Sequence, residues 1–317
     1  MKKYFLLILA SSLLLVFCSP ATSATESIDP EEQEENQEPN EPETPEEPEE
    51  PETKSIYLEA DGTTETYSLL NSNGFYHEVP DLGVNPEIPT CGHDFKHIEQ
   101  VWDESLKKYV FALMLHVENG IVDTDRCKEG MEDRQRNEIK TYSESPATMY
   151  GTHGESHTYS WKFMLSKEHN PSTEFTHIHQ IKAAGGSDDS QPLITFTTRA
   201  SSTDQLQIVY MTPIDWDKTY IAKIDLDEIR GEWIQVEESL TYAQGGAYSL
   251  KLVRISDNKS LLDYTNNFDL WREDADLIRP KWGMYRKIYT DKSSFIPVEG
   301  LTDETIYFAD FGIVEED

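Results

Sequence analysis

The sequence predicts an all-β domain, a jelly-roll sandwich of two antiparallel sheets with a concave groove. Short runs of alternating, β-branched and aromatic residues recur along the chain, and turn residues separate them. Long stretches with helical periodicity are absent. Many short strands within residues 55–317 are typical of a two-sheet sandwich.

The individual strands are predicted from their patterns. Residues 109–117 are apolar on both faces, as in a strand buried between two layers. Residues 136–142 and 159–165 alternate between polar and apolar side chains, as in a strand with one buried face. Similar runs predict further strands at 175–182, 193–199, 206–211, 233–242, 248–255, 282–289 and 306–314.

The N-terminus has the pattern of an export signal, which we assign to residues 1–24. Lys2 and Lys3 precede an apolar run that ends at Cys18 and is short for a membrane span. The end of this run resembles a bacterial lipobox, in which the cysteine is lipidated, although Phe17 stands where a small residue is usual. Cleavage after Ala24 is the alternative. We therefore expect a secreted or cell-surface lipoprotein of a bacterium, with no membrane contact beyond a lipid anchor.

Residues 25–54 form an acidic tether ahead of the domain at 55–317. Residues 26–54 hold 14 Asp or Glu, several prolines and one lysine, so they lack the apolar surface needed for folding. The whole chain has a net charge of −33. Residues 55–317 are acidic on their own, with 46 acidic and 24 basic residues. This acidity disfavours nucleic acid as a partner. A polyanion remains compatible if basic residues concentrate in one groove.

The cysteines and acidic loops raise structural questions but predict no catalytic metal. Cys91 and Cys127 form a disulfide in an oxidising compartment, or else they are two buried thiols. Asp123 and Asp125 are weak candidates for a structural calcium site, since the full loop signature is missing and an ordinary polar turn is favoured. The histidines show no clear zinc spacing. We expect catalysis without a cofactor.

Three strands carry ionisable groups that a plain sandwich does not need. On the strand at 134–140, alternation places Arg134, Arg136, Glu138 and Lys140 on one face. A solvated sheet face is the ordinary explanation for one such strand. Three of them in an acidic protein instead indicate a local basic surface that attracts a polyanion.

The other two strands add amide, histidine and phenol groups. Alternation places Gln180 and Lys182 on one face of the strand at 177–182, and His177 and His179 on the opposite face. On the strand at 281–286, Lys281, Gly283 and Tyr285 share a face, and Trp282 and Met284 point to the core.

These three segments resemble, in the same order, the strands of the jelly-roll polysaccharide lyases. Arg136-Asn-Glu-Ile-Lys140 is similar to the Arg-x-Glu-Leu-Arg strand of that group. Gln180-Ile-Lys182 is similar to its Gln-Ile-His strand, and 281–286 to its Lys-x-Gly-x-Tyr-Arg/Asn strand. The likeness covers roughly residues 90–314. Lys182 and Lys140 depart from the alginate-lyase pattern, which favours polysaccharide lyase family 28, the ulvan lyases, followed by the glucuronan and alginate lyases.

The resemblance implies cleavage beside a uronic acid by β-elimination, leaving a 4,5-unsaturated uronate. It implies Tyr285 as the base and also the acid, with Gln180 and either Arg136 or Lys182 neutralising the uronate carboxylate. His179 is a second candidate for proton transfer if a β-bulge turns it towards the site. Candidates for substrate binding are Arg134, Lys140, Lys281, Arg286 and Arg199, with Arg286 on the other face of its strand by alternation.

Two other functions remain open from the sequence. A non-catalytic carbohydrate-binding or adhesion domain uses the same sandwich. A glycoside hydrolase of the jelly-roll type is disfavoured, because Lys223 stands where the first carboxylate of its Glu-x-Asp-x-x-Glu strand is needed. We expect a monomer with an anionic polysaccharide as its partner.

Overall fold

A computed structural model describes residues 54–81, 95–117, 125, 133–213, 217–291 and 296–316. The described chain is almost entirely β-structure, with one short helix, α1 (Thr66–Ser72), and 3₁₀ turns at Ala147–Met149 and Leu226–Glu228. No helix in these ranges is long and apolar enough to span a membrane. The strands are β1 (Lys54–Leu58), β2 (Tyr76–Glu78), β3 (Ile98–Asp103), β4 (Lys108–Leu115), β5 (Arg134–Lys140), β6 (Ser156–Leu165), β7 (Thr176–Ala184), β8 (Ile194–Arg199), β9 (Gln205–Met211), β10 (Lys218–Asp225), β11 (Ile234–Thr241), β12 (Gly246–Arg254), β13 (Lys259–Phe268), β14 (Leu277–Lys287) and β15 (Glu304–Glu316).

The strands form two antiparallel sheets, which confirms the predicted jelly-roll sandwich. The eight-stranded sheet has the order β13-β12-β11-β6-β15-β4-β3, with β1 also paired to β15. The seven-stranded sheet has the order β10-β9-β8-β7-β14-β5-β2. In each sheet, pairs of consecutive strands such as β11-β12 and β8-β9 occur beside pairs from distant parts of the chain, such as β6-β15 and β7-β14. The distant pairs are those that the crossing connections of a jelly roll require.

The core lies between the two sheets and follows from the alternation of the strands. On β6, every second residue from His157 to Leu165 is buried, and the intervening residues are partly exposed. Trp161 of β6 packs on His179 of the opposite sheet, with 4.9 Å between the ring centres. Burying each large side chain of this kind contributes roughly 1.5–3 kcal/mol.

The three strands with ionisable residues are neighbours in the seven-stranded sheet. β14 pairs with β7 on one side and with β5 on the other. Lys281 of β14 lies between Gln180 of β7 and Lys140 of β5 in the register. Segments about 40 and 100 residues apart in sequence therefore share one sheet face.

A β-bulge interrupts β14 within its predicted motif. The register with β7 shifts between Trp282 and Tyr285, where β14 has one extra residue. Gly283 adopts φ 139°, a backbone conformation that glycine reaches without strain because it has no Cβ. A Cβ there would lie 2.2 Å from the backbone oxygen of Asn137, so glycine also permits the close approach of β5. The bulge sets the direction of the Tyr285 side chain relative to β7.

Five strands and the helix were not predicted, and their patterns explain why. β1, β2 and β3 are short, with mostly exposed or half-buried side chains, and β13 is largely exposed along its length. β10 is an edge strand with charged residues. Helix α1 has only seven residues. Such elements lack the periodic apolar pattern from which strands and helices are predicted.

Several predictions fall outside the described residues. These are the export signal at 1–24, the tether at 25–53, the lipidation of Cys18, the pairing of Cys91 with Cys127, and Asp123. They remain predictions.

Candidate active site

A groove of about 380 Å³ crosses the outer face of the seven-stranded sheet. Its walls come from β5, β7, β8, β9, β10 and β14 and from residues 190–192. Five cationic side chains line it, and none of the lining residues is acidic. The cations are Arg134, Arg136, Lys182, Arg199 and Lys218. In a protein of net charge −33, this surface is suited to an anionic ligand.

Tyr285 lines the groove and is surrounded by arginine and aromatic side chains. It is the register partner of Arg136 on β5, whose guanidinium carbon lies 4.3 Å from the centre of the phenol ring. Arg134 lies 6.0 Å from the same centre. Phe175 and His177 approach from the other side, with ring centres at 5.5 and 6.0 Å.

Burial raises the pKa of Tyr285 above its ordinary value, while the charges of Arg136 and Arg134 act to lower it. Tyr285 is a neutral phenol at neutral pH, so it has a proton to donate.

A buried ion-pair network lies beneath the groove. Lys281 is 2 % exposed, and its Nζ lies 2.6 Å from Glu138 and 2.8 Å from Glu78. Gln180 donates to Glu138 from its side-chain amide. Lys281 thus lies beneath the groove, where its ion pairs stabilise the sheet. It does not line the groove, contrary to its predicted contact with substrate.

Glu78 connects this network to β5. It accepts hydrogen bonds from Arg136 and from Lys140, the latter at 2.9 Å. Burial opposes its ionisation, but Lys281, Arg136 and Lys140 hold the pKa of Glu78 well below its usual range. Lys140 is therefore engaged with Glu78 and does not line the groove, so it supports the site from outside.

Lys182 is a groove cation whose pKa is lowered. Burial and the neighbouring Lys281 lower its pKa to about 8, against an opposing effect of Asp189. Its Nζ donates to the backbone oxygen of Asp189, and its side chain lines the groove beside Gln180.

A second bulge separates the two histidines of β7. The register with β8 shifts between His177 and His179, so strict alternation fails there. His177 lines the groove with Gln180 and Lys182, whereas Ile178 and His179 are buried. A bulge is thus present, but it turns His177 and not the second candidate His179 towards the site. His179 Nε2 lies 2.8 Å from the buried carboxylate of Glu238, so His179 belongs to the core.

His177 is held as a neutral imidazole. Burial lowers its pKa to about 3. Its Nδ1 lies 2.7 Å from the Thr197 hydroxyl, which itself donates to Thr195. Because Thr197 uses its own proton in that bond, Nδ1 is the donor to it, and Nε2 carries the lone pair.

The two remaining predicted arginines fall on opposite faces. Arg199 lines the groove together with Arg134, and substrate binding by both remains a prediction. Arg286 is 1 % exposed and donates to Gln135 and to the backbone oxygen of Thr302. The prediction of Arg286 as a substrate contact is wrong, because its side chain points into the sandwich as alternation indicated.

Members of this region that were not among the predicted site residues include Glu78, Lys218, Tyr220 and His177. Glu78 lies on a three-residue strand without a sequence motif, and Lys218 and Tyr220 belong to the edge strand β10. His177 was assigned to the wrong face because the bulge is not visible in the sequence. If residues 218–225 had been predicted as a strand, alternation would have placed Lys218 and Tyr220 on the same face.

Asp125 is the described member of the predicted calcium pair. Its carboxylate contacts His97 and His116, not a set of hard oxygen ligands. These three residues form the one metal-competent cluster found within the described ranges.

Comparisons with known proteins identify the fold. No protein-family model and no curated protein matches the chain. Among solved structures, the chain is similar to a marine PL-14 alginate lyase from Aplysia kurodai, with 11 % identity over 83 % of this chain and 98 % of that one, at a TM-score of 0.50.

Two further solved structures are similar at lower scores. One is an endo-β-1,4-glucuronan lyase from the fungus Trichoderma reesei, with 13 % identity over 75 % of this chain and 94 % of that one, at a TM-score of 0.47. The other is an alginate lyase from Pseudomonas aeruginosa, with 14 % identity over 70 % and 88 %, at 0.45. The chain thus has the jelly-roll architecture of the Aplysia enzyme.

Proposed function

We propose that this protein is a polysaccharide lyase that cleaves a uronate-containing anionic polysaccharide by β-elimination, with ulvan as its preferred substrate. The observation that carries the proposal is the acid-free groove, with five cations around Tyr285 and His177, in a strongly acidic protein. The fold shared with an alginate lyase supports the same class of reaction.

The first requirement of the reaction is neutralisation of the uronate carboxylate. The C5 proton becomes removable only when negative charge spreading into the carboxylate is stabilised. Arg136 and Lys182 line the groove on either side of Gln180 and provide the positive charge. The buried pairs of Lys281 with Glu138 and Glu78 hold the strands that present them.

Two proton transfers complete the reaction. A base takes the C5 proton, the electron pair forms the C4=C5 double bond, and the C4–O4 bond breaks with its pair passing to O4. Tyr285, a neutral phenol in the free protein, donates the proton to O4. We assign the base to Nε2 of His177, which lines the groove with its lone pair available. The alternative is Tyr285 acting as both base and acid.

The preference for ulvan rests on two cations in the groove that are not needed to neutralise a single uronate carboxylate. Lys218 and Arg199 line the part of the groove formed by β8 and β10, away from Arg136 on β5. A polysaccharide with sulfate as well as carboxylate groups matches such an extended basic surface.

The test is the growth of ultraviolet absorbance from the unsaturated uronate. The full-length protein is incubated with ulvan, glucuronan and alginate in parallel. We expect turnover that is fastest on ulvan and is abolished by Tyr285→Phe without loss of fold. Tyr57→Phe, on the other sheet and 63 % exposed, is the control that should leave the rate unchanged. Full activity of Tyr285→Phe contradicts the mechanism, and faster turnover of another polymer contradicts the substrate preference.

A non-catalytic carbohydrate-binding domain is the second candidate. Tyr220, which is 48 % exposed, lies in the groove, where an open aromatic ring suits sugar stacking. Binding of the three polymers without any absorbance growth would favour this function over the lyase.

A further inference from the structure

Two histidines and an aspartate converge away from the groove. His97 directly precedes β3, His116 directly follows β4, and Asp125 comes from the chain beyond. Their potential ligand atoms all lie within 4.8 Å of one another. His97 and Asp125 are buried, and His116 retains 28 % exposure of its side chain.

Two of the separations within the cluster are close to those between ligands of a tetrahedral zinc ion. Asp125 Oδ1 lies 3.1 Å from His97 Nε2, and Asp125 Oδ2 lies 3.2 Å from His116 Nδ1. Two ligands bound to zinc at about 2.0–2.1 Å in a tetrahedron lie about 3.3 Å apart. Small shifts of these side chains thus suffice to place an ion among them.

A second carboxylate orients His97. Asp81 Oδ1 lies 2.6 Å from His97 Nδ1 and also accepts the His97 backbone N–H at 3.1 Å. When an ion is bound, donation from Nδ1–H to Asp81 leaves the Nε2 lone pair for the metal. A carboxylate that fixes the far nitrogen of a histidine is the usual outer partner of a metal-bound imidazole.

We propose that His97, His116 and Asp125 bind one Zn²⁺ ion in a structural site, with Asp81 as the outer partner of His97. Two imidazoles and one carboxylate form a donor set typical of zinc, whereas calcium and magnesium prefer oxygen ligands alone. This proposal is independent of the lyase function.

The role is structural because of where the cluster lies. None of its three ligands lines the groove. The backbone oxygens of His97 and Met114 accept from the amide of Asn137, on the core face of β5. An ion at this point connects the start of β3, the end of β4 and Asp125 behind the groove strand.

A metal-free cluster is the competing state. Burial lowers the pKa of His97, but its hydrogen bonds to Asp125 and Asp81 outweigh that effect and raise it to about 9. A protonated His97 between two carboxylates would then hold the cluster without a metal. The zinc-bound and metal-free states can be distinguished by whether the purified protein retains one zinc ion per chain.

The experiment measures zinc content and thermal stability of the full-length protein. We expect one zinc per chain after gel filtration, removal by a strong chelator, and restoration by one equivalent of Zn²⁺ but not by Ca²⁺ or Mg²⁺. At free zinc one hundred times Kd, the melting temperature of the stripped protein should rise by about 5–10 °C. Turnover below the melting temperature should survive chelation.

Three variants separate this site from adventitious binding. His116→Asn, at a half-exposed position, should lower zinc affinity at least tenfold, and Asp81→Asn should lower it about tenfold or more. His153→Asn, at an exposed histidine in an edge-to-face contact with Trp271, should leave affinity unchanged. The proposal is overturned if the wild-type protein retains no zinc and shows no melting shift, or if zinc binding is equally tight in His116→Asn.

Discussion

The guanidinium carbon of Arg136 lies 4.3 Å from the centre of the Tyr285 ring, and the two residues face each other directly across β5 and β14. Arg136 also donates to Glu78, so one side chain joins the buried network to the phenol in the groove. In the proposed lyase, this position lets Arg136 act on both the substrate carboxylate and the acid.

Arg136→Ala should lower kcat/KM by roughly 10²–10³-fold, because a preorganised charge at the developing carboxylate is lost. Arg136→Lys keeps the charge but loses the planar guanidinium, which can donate two parallel hydrogen bonds, so kcat/KM should fall by about tenfold. The matched control is Arg279→Ala on the neighbouring strand β14, since Arg279 lies 4.9 Å from the Tyr142 ring in a similar stack outside the groove. Equal losses in Arg136→Ala and Arg279→Ala would refute the assignment.

The two histidines of β7 should behave oppositely although they are two residues apart. His177→Asn should lower kcat by about 10²-fold or more, as expected on removal of a general base, with an unchanged melting temperature. His179→Asn should keep kcat at low temperature and lose about 3 kcal/mol of unfolding free energy, because it breaks a buried pair with Glu238. If His177→Asn is fully active, Tyr285 performs both proton transfers.

The pH dependence of kcat/KM should carry the signature of Lys182. This lysine binds the substrate anion when protonated, and its pKa in the free protein is about 8. As the pH rises through that value, Lys182 loses its charge and one charge-assisted hydrogen bond to the substrate weakens. We therefore expect kcat/KM to fall by roughly tenfold. Lys182→Arg should remove this decline, since arginine stays charged. A decline at the same pH in Lys182→Arg would assign it to another group.

Gly283 should be required for both stability and catalysis. Alanine there would meet the backbone oxygen of Asn137 at 2.2 Å in a conformation with φ 139°. We expect Gly283→Ala to lower the unfolding free energy by about 3 kcal/mol or more and to reduce kcat by displacing Tyr285. Gly245→Ala, with φ 65° and open space around its Cβ, should cost only about 1 kcal/mol. Urea denaturation of both variants measures the difference.

The fold was predictable because the strands that build the core have regular patterns. On β6, alternate residues face the core without interruption, and the sequence shows the same period of two. The apolar run of β4 likewise identified a buried strand. The missed elements β2, β10 and β13 bury little apolar surface, so their residues carry no comparable pattern.

The candidate site was predictable only in part. Regular alternation correctly placed Arg134 and Arg136 in the groove, and it placed Gln135 and Asn137 in the core. It failed at His177, because a bulge shifts the period by one residue and depends on how β7 pairs with β8. It also gave no sign that Glu78 would engage Arg136, Lys140 and Lys281.

The sequence by itself determined the all-β class, the alternating faces of the regular strands and the excess of acid over base, because these are local or additive properties of residues. The tertiary structure decided which strands are neighbours, where the bulges fall and which lysines form ion pairs with Glu78 and Glu138. Those features depend on pairing between distant segments and on burial. The groove around Tyr285 and the cluster of His97, His116 and Asp125 exist only once that pairing is made.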